Sequence, residues 1–265
     1  MLRPLPSLAV ILSVFFVAHP GWSQQQTAPA RMSFTLGAGY DRGGFGTTEI
    51  SRALYFPFSF RYTATRFDFS VSSSIARLDA PDGVRLIDGV PTRVAPDGVP
   101  LRETGMGDVV LRTRLFLIED RGAGTSAPSI TPFVRLKIPT ASAERGLGTG
   151  ETDFGFGVEV DKTFSSLFVF GDLGYTVVGK IPRMGLRNRA LGSIGVGKQL
   201  SDALSVSGML DWRRSIVEGS PNPTDLLGVL SYRLGEATIS PNAFLGLTDG
   251  SPDFGFGVQM RFSLH

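Results

Sequence analysis

The sequence predicts an all-β fold, a transmembrane antiparallel up-and-down β-barrel of about twelve strands. Three observations carry that expectation: an export signal at the N-terminus, apolar residues that recur with period two, and connections that alternate between short and long.

The chain opens with Arg3, an apolar run over residues 8–18, and the small residues Gly21 and Ser23 before Gln24. This order is that of a secretory signal peptide cleaved after Ser23. The apolar run is shorter than the roughly 20 residues a spanning helix needs. The expected organisation is therefore a signal peptide over 1–23, a short linker over 24–30 and a barrel over 31–265. The expected destination is the outer membrane of a Gram-negative-type bacterium.

A strand with one face in lipid and the other in a lumen alternates apolar and polar side chains. In chain order the apolar series are Phe34, Leu36, Ala38, Tyr40; Leu54, Phe56, Phe58, Phe60, Tyr62; and Phe67, Phe69, Val71, Ser73, Ile75. Next come Val109, Leu111, Thr113, Leu115, Leu117, and Ile130, Pro132, Val134, Leu136, Ile138. A segment from Phe154 to Val160 follows, then Val169, Leu173, Tyr175, Val177, then Ile194 and Val196. Leu204, Val206, Leu210, Trp212 precede Leu226, Leu230, Tyr232, Leu234, and Ile239, Ala243, Leu245, Leu247. The last series is the clearest: Phe254, Phe256, Val258, Met260, Phe262 and Leu264 share one face, with Gly255, Gly257, Gln259, Arg261 and Ser263 on the other.

The connections supply an independent test. Short links fall at 63–65, 163–166, 201–203 and 235–236, with a somewhat longer one at 120–127. Long links fall at 41–47, 79–104, 141–150, 180–189, 218–223 and 248–252, all at one end if both termini are periplasmic. A soluble β-sandwich also alternates faces, but it rarely needs so many long strands in this loop rhythm. Pro57, Pro132 and Pro241 fall inside expected strands and mark bulges or strand ends, since each removes a backbone donor.

Composition narrows the function. With 33 Gly, 20 Phe and 17 Pro in 265 residues the chain is turn-rich, and its mean hydropathy of +0.11 spreads apolar content thinly. Losing residues 1–23 removes Arg3 and no acid, which leaves 25 basic against 24 acidic residues. The pI of 9.1 thus reflects a small excess of Arg, with no clustered basic run for nucleic acid. There is no cysteine, so disulfides and thiol-ligated metals are excluded. Once His19 is removed the one remaining histidine is His265, which argues against a Ser-His-acid site and a His-based metal site. No cofactor is expected, no carboxylate pair stands out by spacing, and the chain reads as a non-enzyme.

Two motifs stand out. Asp-Phe-Gly-Phe-Gly-Val occurs at 153–158 and again at 253–258. Either its glycines thin the barrel wall beside neighbouring rings, or Gly and Phe simply recur at an aromatic rim; the second reading is favoured. Gly146, Gly148 and Gly150 form a Gly-x-Gly-x-Gly string, read as a turn because a strand follows where a phosphate cradle needs a helix.

Inward positions carry the candidate site. Arg112, Arg114, Arg135 and Lys137 fall on the lumen parity of two neighbouring strands, and Asp108, Asp153, Glu159, Asp161, Asp172 and Asp211 share that parity. Directly opposite like charges repel, so the cations should face acids across the lumen or an anionic solute. The set either selects what passes or forms a salt-bridge network that stiffens the barrel.

A resemblance enters through Gly105-Met106-Gly107-Asp108 leading to Arg112 and Arg114, and through Lys137-Ile138-Pro139-Thr140 followed by Gly146-Leu147-Gly148-Thr149-Gly150 and Asp153. Gly174-Tyr175 and Gly179 add to it. In these residues the chain resembles the outer-membrane barrel family of transporters of the meta-pathway of phenol degradation. The resemblance implies an exported barrel that passes small aromatic or hydrophobic solutes. The chain departs from an aromatic-last barrel ending, since Ser263, Leu264 and His265 follow Phe262.

The expected function is passage of a small solute through a monomeric barrel with a polar lumen. Its partners would be the outer-membrane lipid bilayer, the barrel-insertion machinery during biogenesis and a small-molecule solute, with no nucleic acid. The alternative is a closed barrel with a structural or surface-interaction role through the 79–104 connection. That connection holds two Pro-Asp-Gly turns and is read as a surface hairpin, a lid or an inward plug.

Overall fold

A computed structural model describes residues 31–43, 50–81, 84–87, 90–93, 101–120, 127–181 and 185–264. The expected signal peptide, the linker over 24–30, His265 and the tips of several connections lie outside the described residues.

The strands are β1 Arg31–Gly43, β2 Ser51–Thr63, β3 Phe67–Ala80, β4 Val84–Ile87, β5 Val90–Arg93, β6 Leu101–Met106, β7 Val109–Leu115 and β8 Ser129–Ile138. They continue as β9 Asp153–Phe164, β10 Leu167–Val177, β11 Arg189–Gln199, β12 Leu204–Arg213, β13 Thr224–Leu234, β14 Ala237–Gly246 and β15 Phe254–Leu264. Strands adjacent in the barrel sheet pair antiparallel throughout. The sheet closes where β1 meets β15, from Met32 opposite Leu264 to Arg42 opposite Phe254. Both β6 and β7 pair with β3 and fill one position between them, so the closed barrel has twelve strands. Closure removes the two sheet edges at β1 and β15, which is what hydrocarbon demands of a sheet.

The loop rhythm is as expected. The β9–β10 and β13–β14 turns are two residues long, with Ser165 and Gly235 at positive φ, the conformation that lets a tight hairpin follow the strand twist. These and the other short turns share one end. The long connections share the other. β4 and β5 form a separate two-stranded hairpin within the 79–104 connection, which is the hairpin reading of that segment.

Apolar residues face out along every barrel strand. Leu173 and Ile194 are 68% and 69% exposed, a cost in water that lipid removes. Aromatic rings gather at both ends of this face: Tyr40 lies 5.5 Å from Phe256 and Phe156 lies 6.0 Å from Tyr175 near the long loops, and Tyr62 lies 6.3 Å from Phe67 near the short turns. Two girdles bracket the band.

The ladder departs from regularity in four places. Gly107 and Asp108 form a β-bulge that shifts the register with β3 by one residue, between the Ile75–Met106 and Ser72–Val110 pairs. Gly107 N donates to Ser74 O, and Ser73 Oγ donates to Gly107 O. Ser73, expected on the outward series, is consequently buried. Pro132 sits where the β7–β8 register slips by one residue before the Ile118–Ile130 bridge. Pro57 and Pro241 mark ladder gaps without a slip, and at the second the Ser231 and Ser240 hydroxyls bridge the strands at 3.0 Å.

Candidate functional site: the barrel lumen

Alternation fixes which side chains share the interior, and the walls differ in chemistry. On β2 and β3 the inward residues include Ser59, Ser70 and Ser72, all buried. β7 to β9 supply most of the charged residues expected from the sequence, with Asp172 on β10 and Asp211 on β12. From β10 to β14 apolar side chains are set among polar ones: Phe168, Phe170, Leu191, Met209, Leu227 and Phe244 hold inward positions, as do Asp172, Arg189, Asp211, Arg213 and Asp225. Met209, Leu227 and Phe244 pack as one cluster with Phe170 and Val229 against it. The lumen expected to be polar carries charge on both sides, with an aromatic wall of rings and aliphatic chains set into the β10–β14 side.

Glycine makes room for the rings. Phe133, Phe168, Phe170 and Phe244 stand directly opposite Gly157, Gly197, Gly195 and Gly255. A Cβ on any of these glycines would come within 2.6 Å of the facing ring. The Asp-Phe-Gly-Phe-Gly-Val repeats take part: their phenylalanines point out to the girdle, and Gly157 and Gly255 each lie under a ring of the next strand. The space those glycines leave is filled.

The ten predicted charges divide into separate groups. At mid-barrel Arg112 and Arg114 both engage Glu159, Arg114 Nη1 donating to Glu159 Oε2 at 3.0 Å and Arg112 Nη2 to Glu159 Oε1. Arg114 also forks onto Asp68, its Nε donating at 3.0 and 2.9 Å, and Arg61 lies 3.6 Å from the same carboxylate. These counter-charges sit along the same wall on β3 and β9, where the sequence reading looked across the lumen. Arg135 is directly opposite Arg112, whose guanidinium lies 4.1 Å over the Phe133 ring. Stacking and the Glu159 contact offset the repulsion between the two arginines.

Lys137 belongs to a second group near the long loops. Its Nζ lies 2.8 Å from Asp153 and 3.6 Å from Asp108, and it donates to Thr149 Oγ1 at 3.0 Å. The side chain is 1% exposed, so a charge here is tolerable only because two carboxylates share it. Ala141 N donates to Asp108 and Gly179 N to Asp153, which ties the 139–152 and 178–188 connections to the barrel wall. Gly146 and Gly150 have positive φ and Gly146 N closes onto Ala143 O, so the glycine string is a turn. Leu147, 2% exposed, lies against Gly105, and Arg145 Nε donates to Glu103 at 2.8 Å.

The remaining acids stand apart. Asp161 accepts from Ser129 Oγ at 3.0 Å near the short turns, and Asp172 accepts from Ser193. Asp211 joins a third group, 2.8 Å from Arg213 Nε, while Arg213 Nη2 donates to Asp225 at 2.5 Å. Asp68, Arg61, Arg213 and Asp225 were absent from the sequence-derived set. Counting parity on every strand, not only those rich in charge, would have found them.

Inside the barrel lies a cavity of about 120 Å³, bounded by Arg112, Arg135 and Glu159 on one side and by Phe170, Leu191 and Met209, with Asp172, Asp211 and Arg213, on the other. Among the described residues no cluster of His, Cys, Asp or Glu is placed to hold a metal ion.

No family model matches the chain, and no curated protein matches it. Among solved structures it is similar to the KdgM porin in complex with disordered oligogalacturonate, at 10% identity and a TM-score of 0.52, over 88% of this chain and 99% of that one. It is similar to the NanC porin at 11% identity and a TM-score of 0.51, over 87% and 100% of the two chains. It is also similar to the translocator domain of the autotransporter NalP from Neisseria meningitidis, at 9% identity and a TM-score of 0.54, over 97% and 95%. These likenesses are of fold: the chain has the closed antiparallel barrel of outer-membrane barrel proteins.

Proposed function

We propose that the protein is an outer-membrane channel that passes small solutes carrying both an apolar body and a negative charge. One observation carries the reading: the cavity inside the barrel brings arginines together with an apolar surface that includes Phe133, Phe170, Leu191 and Met209. A flat apolar body fits the Phe170 and Met209 side, and a carboxylate or phenolate fits the Arg112 and Arg135 side. Fold likeness to two porins supports a passage, and the resemblance to the phenol meta-pathway transporters supports the aromatic part. Export by the 1–23 leader, residence in the outer membrane and the absence of enzymatic chemistry belong to the same proposal.

Liposome swelling with sugars, aromatic carboxylates and phenols side by side tests it. Aromatic carboxylates should enter faster than sugars of similar mass. Equal rates for all three, or no swelling, would contradict it.

The second reading, a closed barrel acting through the 79–104 connection, is favoured by the β4–β5 hairpin that this connection carries. Deleting residues 84–93 separates the two: unchanged transport with loss of a binding partner would favour interaction.

A further inference from the structure

Charge on the outward face of the barrel strands is confined to a few places. At the long-loop end, Arg42 on β1 stands directly opposite Arg52 on β2, Arg52 opposite Asp79 on β3, and Asp79 opposite Arg102 on β6. Arg77 lies two residues below Asp79 on the same face, beside Leu54 and Thr104. Four guanidinium groups thus share one patch with one carboxylate. Asp79 is 3.4 Å from Arg102, whose side chain is still 79% exposed. Elsewhere at this end the outward residues are Ile138, Phe154, Val177, Trp212, Leu245 and Phe254. The other outward cations of the described barrel strands, Lys162 and Lys198, lie toward the short turns.

Position matters as much as charge. Just below the patch, Tyr40, Leu54, Phe56, Ile75 and Met106 belong to the lipid-facing band. Arg42 and Arg52 are neighbours of like charge on adjacent strands, an arrangement that costs stability unless an anion lies between them. An anion held there would sit at headgroup depth, with its acyl chains along the apolar band below.

We propose that this patch binds the phosphorylated headgroup of an outer-leaflet glycolipid, the lipopolysaccharide that faces the long-loop end of an outer-membrane barrel. The inference rests on the outer-membrane reading and goes beyond the channel. Guanidinium forks recognise phosphate monoesters bidentately, and a row of them across four strands suits a headgroup with more than one phosphate. Asp79 orients Arg102 and prevents the row from being wholly of one sign.

The test uses the full-length barrel, purified from outer membranes in mild detergent, with lipid retention read by native mass spectrometry and affinity by titration of lipopolysaccharide. Wild type should bind it, and the triple variant Arg52→Gln, Arg77→Gln, Arg102→Gln should bind at least about tenfold more weakly while keeping its heat-modifiable gel shift. Lys198→Gln should bind as wild type does. Dephosphorylated lipopolysaccharide should lose as much as the triple variant loses. Equal affinity of wild type and triple variant, or of phosphorylated and dephosphorylated lipid, would overturn the proposal. So would inorganic phosphate displacing the lipid at equal concentration, since the site would then be a plain anion site. Failure of the underlying reading looks different: the wild-type chain would be found outside the outer-membrane fraction altogether.

Discussion

Phe168 on β10 lies directly opposite Gly197 on β11, and its ring occupies the place where a side chain at 197 would begin. The glycine is the seat of the ring. Gly197→Ala should push the Phe168 ring toward the lumen, at a cost of about 1–3 kcal/mol for overpacking. Unfolding in urea should register the loss, and single-channel conductance should fall because the displaced ring narrows the passage.

Glu159 holds two arginines at once, so its removal should be felt more strongly than that of either partner. Glu159→Gln leaves Arg112 and Arg114 short of counter-charge, though Asp68 still holds Arg114. The expected outcome is a loss of about 1–3 kcal/mol, reduced from the fully buried case because the group borders the lumen, with a shift toward anions in the reversal potential under a salt gradient.

Neutralising Arg112, Arg114 and Arg135 together to Gln should move selectivity the other way. Reversal potentials should shift toward cations, since Glu159, Asp161 and Asp172 then dominate the wall. An unchanged potential would mean that these arginines serve only the rigidity of the barrel.

Lys137 is the clasp of the 139–152 connection. Lys137→Met should leave Asp108 and Asp153 buried without their shared cation, costing about 3–5 kcal/mol. Loss of the Thr149 contact should also free the loop. Limited proteolysis with trypsin should cut after Arg145 sooner than in wild type, and the heat-modifiability midpoint should drop.

The aromatic wall makes a separate prediction. Phe170→Ser with Met209→Ser should slow aromatic carboxylates relative to sugars in liposome swelling and leave the ion selectivity close to wild type. Loss of both together would join the two walls into one determinant.

Strand order, outward faces and loop rhythm were legible because lipid on one side and water on the other impose a strict period of two, as along Phe254 to Leu264. The aromatic wall was not, because β10 is apolar in both phases. Phe168 and Phe170 alternate with Val169, and choosing Val169 as outward says nothing of what faces inward. The glycines opposite them were the available signal, readable only once strand register is known. The bulge at Gly107 and Asp108 reverses the inward parity between β6 and β7, and a count carried through it goes out of phase, since Glu103 before it and Arg112 after it both face inward. Charge partners were half legible: parity placed Arg114 and Glu159 inside, but only register brings Asp68 beside Arg114.

The most direct measurement exploits the absence of cysteine. Single cysteines placed in turn from 256 to 261 and spin-labelled in lipid bilayers should alternate. Labels at Phe256, Val258 and Met260 should collide with oxygen dissolved in the bilayer, and those at Gly257, Gln259 and Arg261 with a water-soluble relaxant. Uniform access to the aqueous relaxant, or a period near 3.6, would contradict a closed sheet with lipid outside and water within.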